Sequence, residues 1–472
     1  MTPLIDDRKN DMNIKTMTGA LKKESKSMVR VERGNGKQDE MFRMENGSQK
    51  IVLGVSEPDK MTRRKLILLA RRIIATAKAK TCESLTIDPK IFSFENINMF
   101  DQEVGELVAT NFLMANYSFT EFLTKPVDGF PDVKEILFEN ASKEFAEGLK
   151  RGMIIGEEVN ACRRLANLPG GDVTPQTLAD EAKKIAKQNK LTVKILDVAA
   201  MKKLGMGGVL GVGKGSDLPP KFIVLEYMNG KKGSAPVVLV GKGVTFDTGG
   251  INLKPSNSMT GMNMDMSGGA AVMHTVAAIA RLKVKCNLVA LVPAVENMPS
   301  GMAYRPGDVI RSMSGKTIEV GDTDAEGRII LADALTYAAK YKPSLVVDVA
   351  TLTGAAVVAL GERATALFTT DEKLEKEFRE IGELSGDYVW PLPLWEEYDE
   401  DIKGTTGDWS NIGKTQYGGA ITAAAFLKQF AEGYPWVHLD IAPRMTAIDG
   451  EFLAKGAAGT PVRLLVKMIE TL

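Results

Sequence analysis

Apolar residues along the chain fall into two alternating patterns. Short continuous runs of Val, Ile and Leu predict strands at residues 51–55, 84–87, 193–196, 222–227, 236–240, 287–292, 344–349 and 437–441. Between them, apolar positions recurring at helical spacing predict helices at 62–78, 103–113, 143–165, 175–187, 268–282, 327–340, 420–431 and 461–471. Strands that do not alternate apolar with polar are covered on both faces, as in a sheet between two helix layers. The fold class is therefore α/β, with two domains, each a mixed or mostly parallel sheet flanked by helices, and the larger C-terminal one carrying the chemistry.

The same pattern sets the domain limits. Residues 1–50 are polar and charge-mixed and read as a flexible or loosely packed extension. Residues 51–142 read as a small N-terminal α/β domain and 143–166 as a linking helix. The turn-rich Asn167-Leu168-Pro169-Gly170-Gly171-Asp172 stops that helix, and 167–472 form the second domain.

Composition narrows the classes of partner. Sixty Lys and Arg against sixty Asp and Glu give no net field, so neither nucleic acid nor an anionic membrane is expected as a partner. No stretch reaches the ~20 apolar residues of a membrane span, and the N-terminus lacks the apolar core of a signal peptide. Cys82, Cys162 and Cys286 are far apart and odd in number, which argues against a disulfide framework and fits a reducing cytoplasm. Only two histidines exist, His274 in an Ala/Val-rich helix and His438 in a strand, and both read as packed core residues. Any metal must be held mainly by carboxylates.

Candidate chemistry gathers in two places. Gly321-Asp322-Thr323-Asp324-Ala325-Glu326-Gly327-Arg328 joins a strand-like segment to an apolar helix, and three charges at alternate positions would converge if the turn is extended. By itself such a triplet reads as a solvated acidic loop. The second place follows the strand Val237–Val240, where Lys242, Asp247, Lys254 and Asp265 lie in a Gly-rich segment at a strand end, the position at which an open α/β sheet puts its site. Asp247, Asp265, Asp324 and Glu326 together carry the charge that two divalent cations would neutralise, with Asp247 and Glu326 as natural bridges. By contrast, Gly208-Val209-Leu210-Gly211-Val212-Gly213-Lys214 nearly spells a phosphate loop. It lacks the following Ser or Thr, and Pro219-Pro220 forbids the required helix, so it reads as a glycine-rich turn.

The blocks VGKGVTFDTGGINLKP, MDMSGGAAV, MPSGMAYRPGDVI, GDTDAEGRIILADAL, DVATLTGA and GGAITAAAFL resemble those of the cytosolic leucyl aminopeptidase family of two-metal exopeptidases, over roughly residues 160–472. The resemblance implies that Asp247 and Glu326 bridge two divalent metals, Mn2+ and/or Zn2+. Asp324 completes one metal site; Lys242 and Asp265 complete the other. It further implies that Lys254 polarises the scissile carbonyl and that Arg328 holds a bicarbonate ion acting as general base. Met262 and Ala457 would line the pocket for the first side chain, leucine or another apolar residue, with Thr351, Leu352 and Gly354 presenting backbone to the peptide substrate. A homohexamer, built as a dimer of trimers, is implied as well. Two departures from the family pattern are Asp322 in place of Asn and Ala442-Pro443-Arg444 in place of a small Gly-Thr-Ala run.

Overall fold

The computed structural model describes residues 12–19, 28–36, 38–44, 47–127 and 129–472, and these fall into two compact units. The first comprises the chain up to Asn160 together with Ala447–Lys455. Its elements are β1 (Asn13–Thr16), β2 (Val29–Gly34), β3 (Glu40–Arg43), β4 (Gln49–Gly54), α1 (Arg63–Ala79), β5 (Ser84–Ile87), α2 (Asp101–Asn116), β6 (Glu135–Phe138) and the first part of α3 (Lys143–Asn167). The six strands form one sheet in the order β1-β6-β5-β2-β4-β3, parallel except for β3. Phe112, Phe138 and Phe145 anchor its core; the Phe138 and Phe145 ring centroids are 5.1 Å apart. Such a pair contributes ~0.5–1.5 kcal/mol beyond its buried area.

Two expectations change here. Strands β1, β2 and β3 lie in the stretch assigned to an extension, and β2 sits between β5 and β4 inside the sheet. Its signal is weak because only Val29 and Val31 are buried while Arg30 and Glu32 are not. Residues 1–11 and 20–27 lie outside the described residues, and so does that part of the expectation. The linking helix is also not a separate segment, because α3 is one helix with the unit boundary inside it. Its first part packs against α2 closely enough that a Cβ at Gly148 would stand 2.0 Å from Gln102 O.

The second unit holds the rest of the chain. After the end of α3 come α4 (Pro175–Asn189), β7 (Thr192–Leu196), α5 (Val198–Leu204), α6 (Gly207–Val212), β8 (Lys221–Met228), β9 (Val237–Gly241), β10 (Gly243–Asp247) and α7 (Ser256–Met259). Next are α8 (Ser267–Leu282), β11 (Asn287–Asn297), β12 (Val309–Arg311), β13 (Thr317–Glu319), α9 (Glu326–Ala338), β14 (Leu345–Ala350) and α10 (Gly354–Leu360). The chain ends with β15 (Thr365–Phe368), α11 (Glu372–Ser385), β16 (Val389–Pro391), α12 (Glu397–Glu400), β17 (Trp409–Ser410), α13 (Gly419–Lys428), β18 (Trp436–Asp440) and α14 (Val462–Thr471). A nine-stranded mixed sheet runs β16-β15-β18-β14-β9-β11-β8-β7, with β10 beside β11. Strands β18, β14, β9 and β11 are mutually parallel and almost wholly buried. That is why they do not alternate apolar with polar residues, most plainly in Val237-Val238-Leu239-Val240.

Start signals are visible in side chains. Thr174 caps α4, accepting from Thr177 N at 3.2 Å, with Pro175 as the first helical residue. A cap of this kind adds ~1 kcal/mol. The run at 208–214, expected as a glycine-rich turn, is α6 followed by a 3-10 turn. A Cβ at Gly208 would lie 2.4 Å from Ile329 O, so that glycine serves close packing of α6 on α9. Val209 N donates to Asp333 Oδ2 of α9 at 2.9 Å, which fixes the contact.

Parallel strands converge their carboxyl ends on one edge. Lys242 follows β9, Asp247 ends β10, Thr351 follows β14 and Asp440 ends β18. Side chains from four strands thus reach one locality, as expected for an open α/β sheet.

Candidate metal centre

Glu326 opens α9 and Asp265 follows the 3-10 turn Met262–Met264 that precedes α8. Asp247, Asp265 and Glu326 each offer a carboxylate oxygen, and these oxygens lie within 4.8 Å of one another. All three residues are buried. Lys242 enters the same space, with Nζ 2.9 Å from Asp265 Oδ2 and 2.7 Å from Glu326 Oε1. Its Nζ also donates to Thr351 O, at 3.0 Å. Asp265 Oδ2, Glu326 Oε1 and Asp324 Oδ1 are buried, and each meets a lysine ammonium group in ion-pair contact rather than a well-directed hydrogen bond.

The approach of Lys242 depends on its neighbour in sequence to Glu326. A Cβ at Gly327 would stand 2.7 Å from Lys242 Cε and 2.8 Å from Nζ. The glycine in Asp324-Ala325-Glu326-Gly327-Arg328 is therefore a gap for the lysine.

Crowded acids in a dry site resist ionisation. Burial, then the charge of Asp247, pushes the carboxyl of Glu326 upward, and burial does the same for Asp265. Lys242 feels burial first, which favours its neutral form, but Asp265, Glu326 and Asp247 outweigh this and raise it. Two ammonium groups, Lys242 and Lys254, face the four carboxylates of Asp247, Asp265, Asp324 and Glu326. That excess of buried carboxylate fits divalent cations whose charge would also let Lys242 bind as an amine.

A second cluster adjoins the first. Lys254 Nζ is 2.9 Å from Asp247 Oδ2 and in ion-pair contact with Asp324 Oδ1. Gly249, at φ +86°, turns the chain between Asp247 and Lys254, and a Cβ there would press on Asn252 O at 2.4 Å. Asp324 N donates to Asp322 Oδ1 at 2.8 Å, so the departure at Asp322 keeps a turn-forming acceptor.

The convergence of Asp324, Glu326 and Arg328 is real in part, but its expected cause is not. The segment is a turn running into helix α9, not an extended chain, so Glu326 and Arg328 belong to a first helical turn. Arg328 is buried and its Nε has no hydrogen-bond partner. Burial lowers its guanidinium to about 10, against the opposing pull of Glu326, Asp440 and Asp322. It stays cationic at neutral pH.

Residues 160–466 match the sequence model described as the cytosol aminopeptidase family, catalytic domain. The chain belongs to the cytosol aminopeptidase family. It is similar to the probable cytosol aminopeptidases of Azoarcus sp. (strain BH72), 51% identical over 71% of this chain and 66% of the relative, and of Aromatoleum aromaticum, 52% identical over 70% and 65%. The matched stretch thus spans about two thirds of the length of these relatives. Among solved structures it is similar to the bottromycin maturation enzyme BotP in complex with Mn, with a TM-score of 0.85 and 31% identity over 94% of this chain and 99% of that one.

Within this cytosol aminopeptidase family member, the remaining sequence-selected residues are placed as follows. Thr351 Oγ1 donates to Asp265 Oδ1 at 2.7 Å. Leu352 N donates to Asp440 Oδ1 at 3.0 Å, and Gly354 begins α10. Met262 lies in the turn before Asp265, and Ala457 forms an isolated bridge with Thr446. In the other departure, Arg444 is buried and donates to Glu362 O at 2.7 Å.

Several supporting residues escaped sequence reasoning. Asn297, fully buried at the end of β11, donates from Nδ2 to Asp247 Oδ1 at 2.8 Å and to Thr323 O at 3.0 Å. Its position at a strand end was the available signal. Asn411 spans the turn, accepting from Gly321 N at 2.7 Å and donating to Asp322 O at 2.6 Å, and nothing in the pattern around it marks this. Both histidines are buried, His438 with Nδ1 2.6 Å from Asp348 Oδ1.

Proposed function

We propose that this protein is a metal-dependent aminopeptidase that removes N-terminal residues, leucine and other apolar ones preferred, from peptides. The observation that carries this reading is Lys242 Nζ set between Asp265 and Glu326 in a buried nest of carboxylates. Lys242, Asp247, Asp265, Asp324 and Glu326 would hold two divalent cations, Mn2+ and/or Zn2+, with Asp247 and Glu326 shared. Bound there, such ions act as Lewis acids and lower the pKa of water toward ~7.

The chain's own groups divide the remaining work. Asn297 and Gly249 N orient Asp247, and Thr351 orients Asp265, so the acceptors are held before any ion arrives. Lys254, fixed by Asp247 and Asp324, is the cation that would stabilise charge growing on the scissile carbonyl oxygen. Arg328, charged, buried and with Nε unpaired, would hold bicarbonate as the general base that takes a proton from the attacking water. Thr351, Leu352 and Gly354 would present backbone to the substrate, in a segment anchored where Leu352 N donates to Asp440 Oδ1. Met262 and Ala457 would line the pocket for the first side chain.

No helix of the described residues is long and apolar enough to cross a membrane. A cytoplasmic homohexamer, a dimer of trimers, belongs to the same proposal and is checked by light scattering. Catalysis is tested by release of leucine from leucyl amide with added Mn2+ or Zn2+, which chelation should abolish.

A further inference from the structure

We infer that Asn263, Arg163 and Asn167 set the width of the first-side-chain pocket, as positioning residues that clamp its two walls to the end of α3. The inference rests on the reading that Met262 and Ala457 are those walls.

A helix leaves its last carbonyls without intrahelical partners. At the end of α3, two such acceptors are taken by one side chain: Asn263 Nδ2 donates to Ala166 O at 3.2 Å and to Leu168 O at 3.0 Å. Asn263 is the residue after Met262, in the three-residue 3-10 turn Met262–Met264. One wall is therefore tied to α3 through its immediate neighbour.

The opposite wall is tied to the same helix end by its backbone. Arg163 Nε donates to Ala457 O at 2.9 Å, and Ala457 N donates to Asn167 Oδ1 at 2.8 Å. Both backbone groups of Ala457 are thus held by α3. The approach is close enough that a Cβ on Gly456, at φ +104°, would lie 2.3 Å from Asn167 Oδ1. The segment is also joined by an isolated bridge between Thr446 and Ala457 and a bond from Ala458 N to Met445 O.

Two short, irregular segments are thereby indexed to one rigid helix terminus, and their separation follows from it. Pocket width matters because a single methylene in an apolar pocket discriminates by ~10–200-fold. Releasing either wall should blur that discrimination without removing a metal ligand.

The test compares kcat/KM for leucyl and alanyl p-nitroanilides in the metal-loaded full-length protein. Asn263→Ala should lower the leucyl-to-alanyl ratio by ~10-fold, mainly through KM, with metal content unchanged. Asn167→Ser, which frees only the Ala457 side, should shift the ratio in the same direction, and it stands in if Asn263→Ala does not fold. Met262→Ala changes a wall directly and serves as the reference. If Met262→Ala moves the ratio while the folded clamp variants leave it at the wild-type value, the clamp is overturned and the wall reading stands. If neither kind of variant moves the ratio, the wall reading fails and takes the clamp with it.

Discussion

Lys242 Nζ lies 2.7 Å from Glu326 Oε1, and the space for that approach is the side chain that Gly327 lacks. Gly327→Ala should fold, because Gly327 already lies within helix α9, where alanine is favoured over glycine. Its methyl group would nevertheless displace the tip of a lysine that is buried and held by Thr351 O, Asp265 and Glu326. Metal affinity should fall ~10–100-fold, with aminopeptidase activity falling alongside. Metal titration of the variant checks this.

Asn297 holds Asp247 from behind, donating to the oxygen opposite the one that meets Lys254. Asn297→Ala leaves Asp247 Oδ1 oriented by Gly249 N without the Asn297 amide. A loss of ~10–100-fold in metal affinity is expected, as for other groups that orient a ligand. An unchanged affinity would mean that Gly249 N alone suffices to orient the carboxylate.

Arg328 is charged and has an unpaired Nε. Arg328→Ala should retain both metals, lose ~10²–10³-fold in kcat, and lose any stimulation by added bicarbonate. A variant still stimulated by bicarbonate would place the anion elsewhere.

Glu319 accepts backbone N–H groups from Thr405 at 2.7 Å, Thr406 at 2.9 Å and Gly407 at 3.4 Å. Those bonds hold its carboxyl down to about 2, from an ordinary 4.5. A carboxyl depressed in the folded state adds stability above its unfolded pKa, and the increment is lost as pH falls from about 4.5 toward about 2. The gap in urea midpoint between wild type and Glu319→Gln should therefore be full at neutral pH and narrow progressively as pH falls below about 4.5.

The second unit's sheet was largely legible because its central strands are buried on both faces, which leaves unbroken apolar runs such as Val237-Val238-Leu239-Val240. Charges at the ends of those runs then stood out, and Lys242, Asp247 and Asp265 were selected on that contrast. Strand β10 was not legible, since Gly243 and a short Val-Thr-Phe stretch read as loop and its pairing with β11 is a tertiary fact. Strands β1 to β3 escaped for a similar reason: they are four to six residues long with few buried side chains. Asn263, Asn297 and Asn411 act through amide geometry toward distant backbone. Periodicity carries no record of such contacts.

The central claim is that the buried carboxylates and Lys242 form a two-metal site on which turnover depends. Metal content of the purified protein, measured with leucyl amide hydrolysis for wild type and Asp265→Ala, tests it most directly. Wild type should carry about two divalent ions per chain, lose activity to a chelator and regain it with Mn2+ or Zn2+, while Asp265→Ala should bind less metal and be inactive. Full metal content and full activity in Asp265→Ala, or undiminished turnover in the chelator, would contradict it.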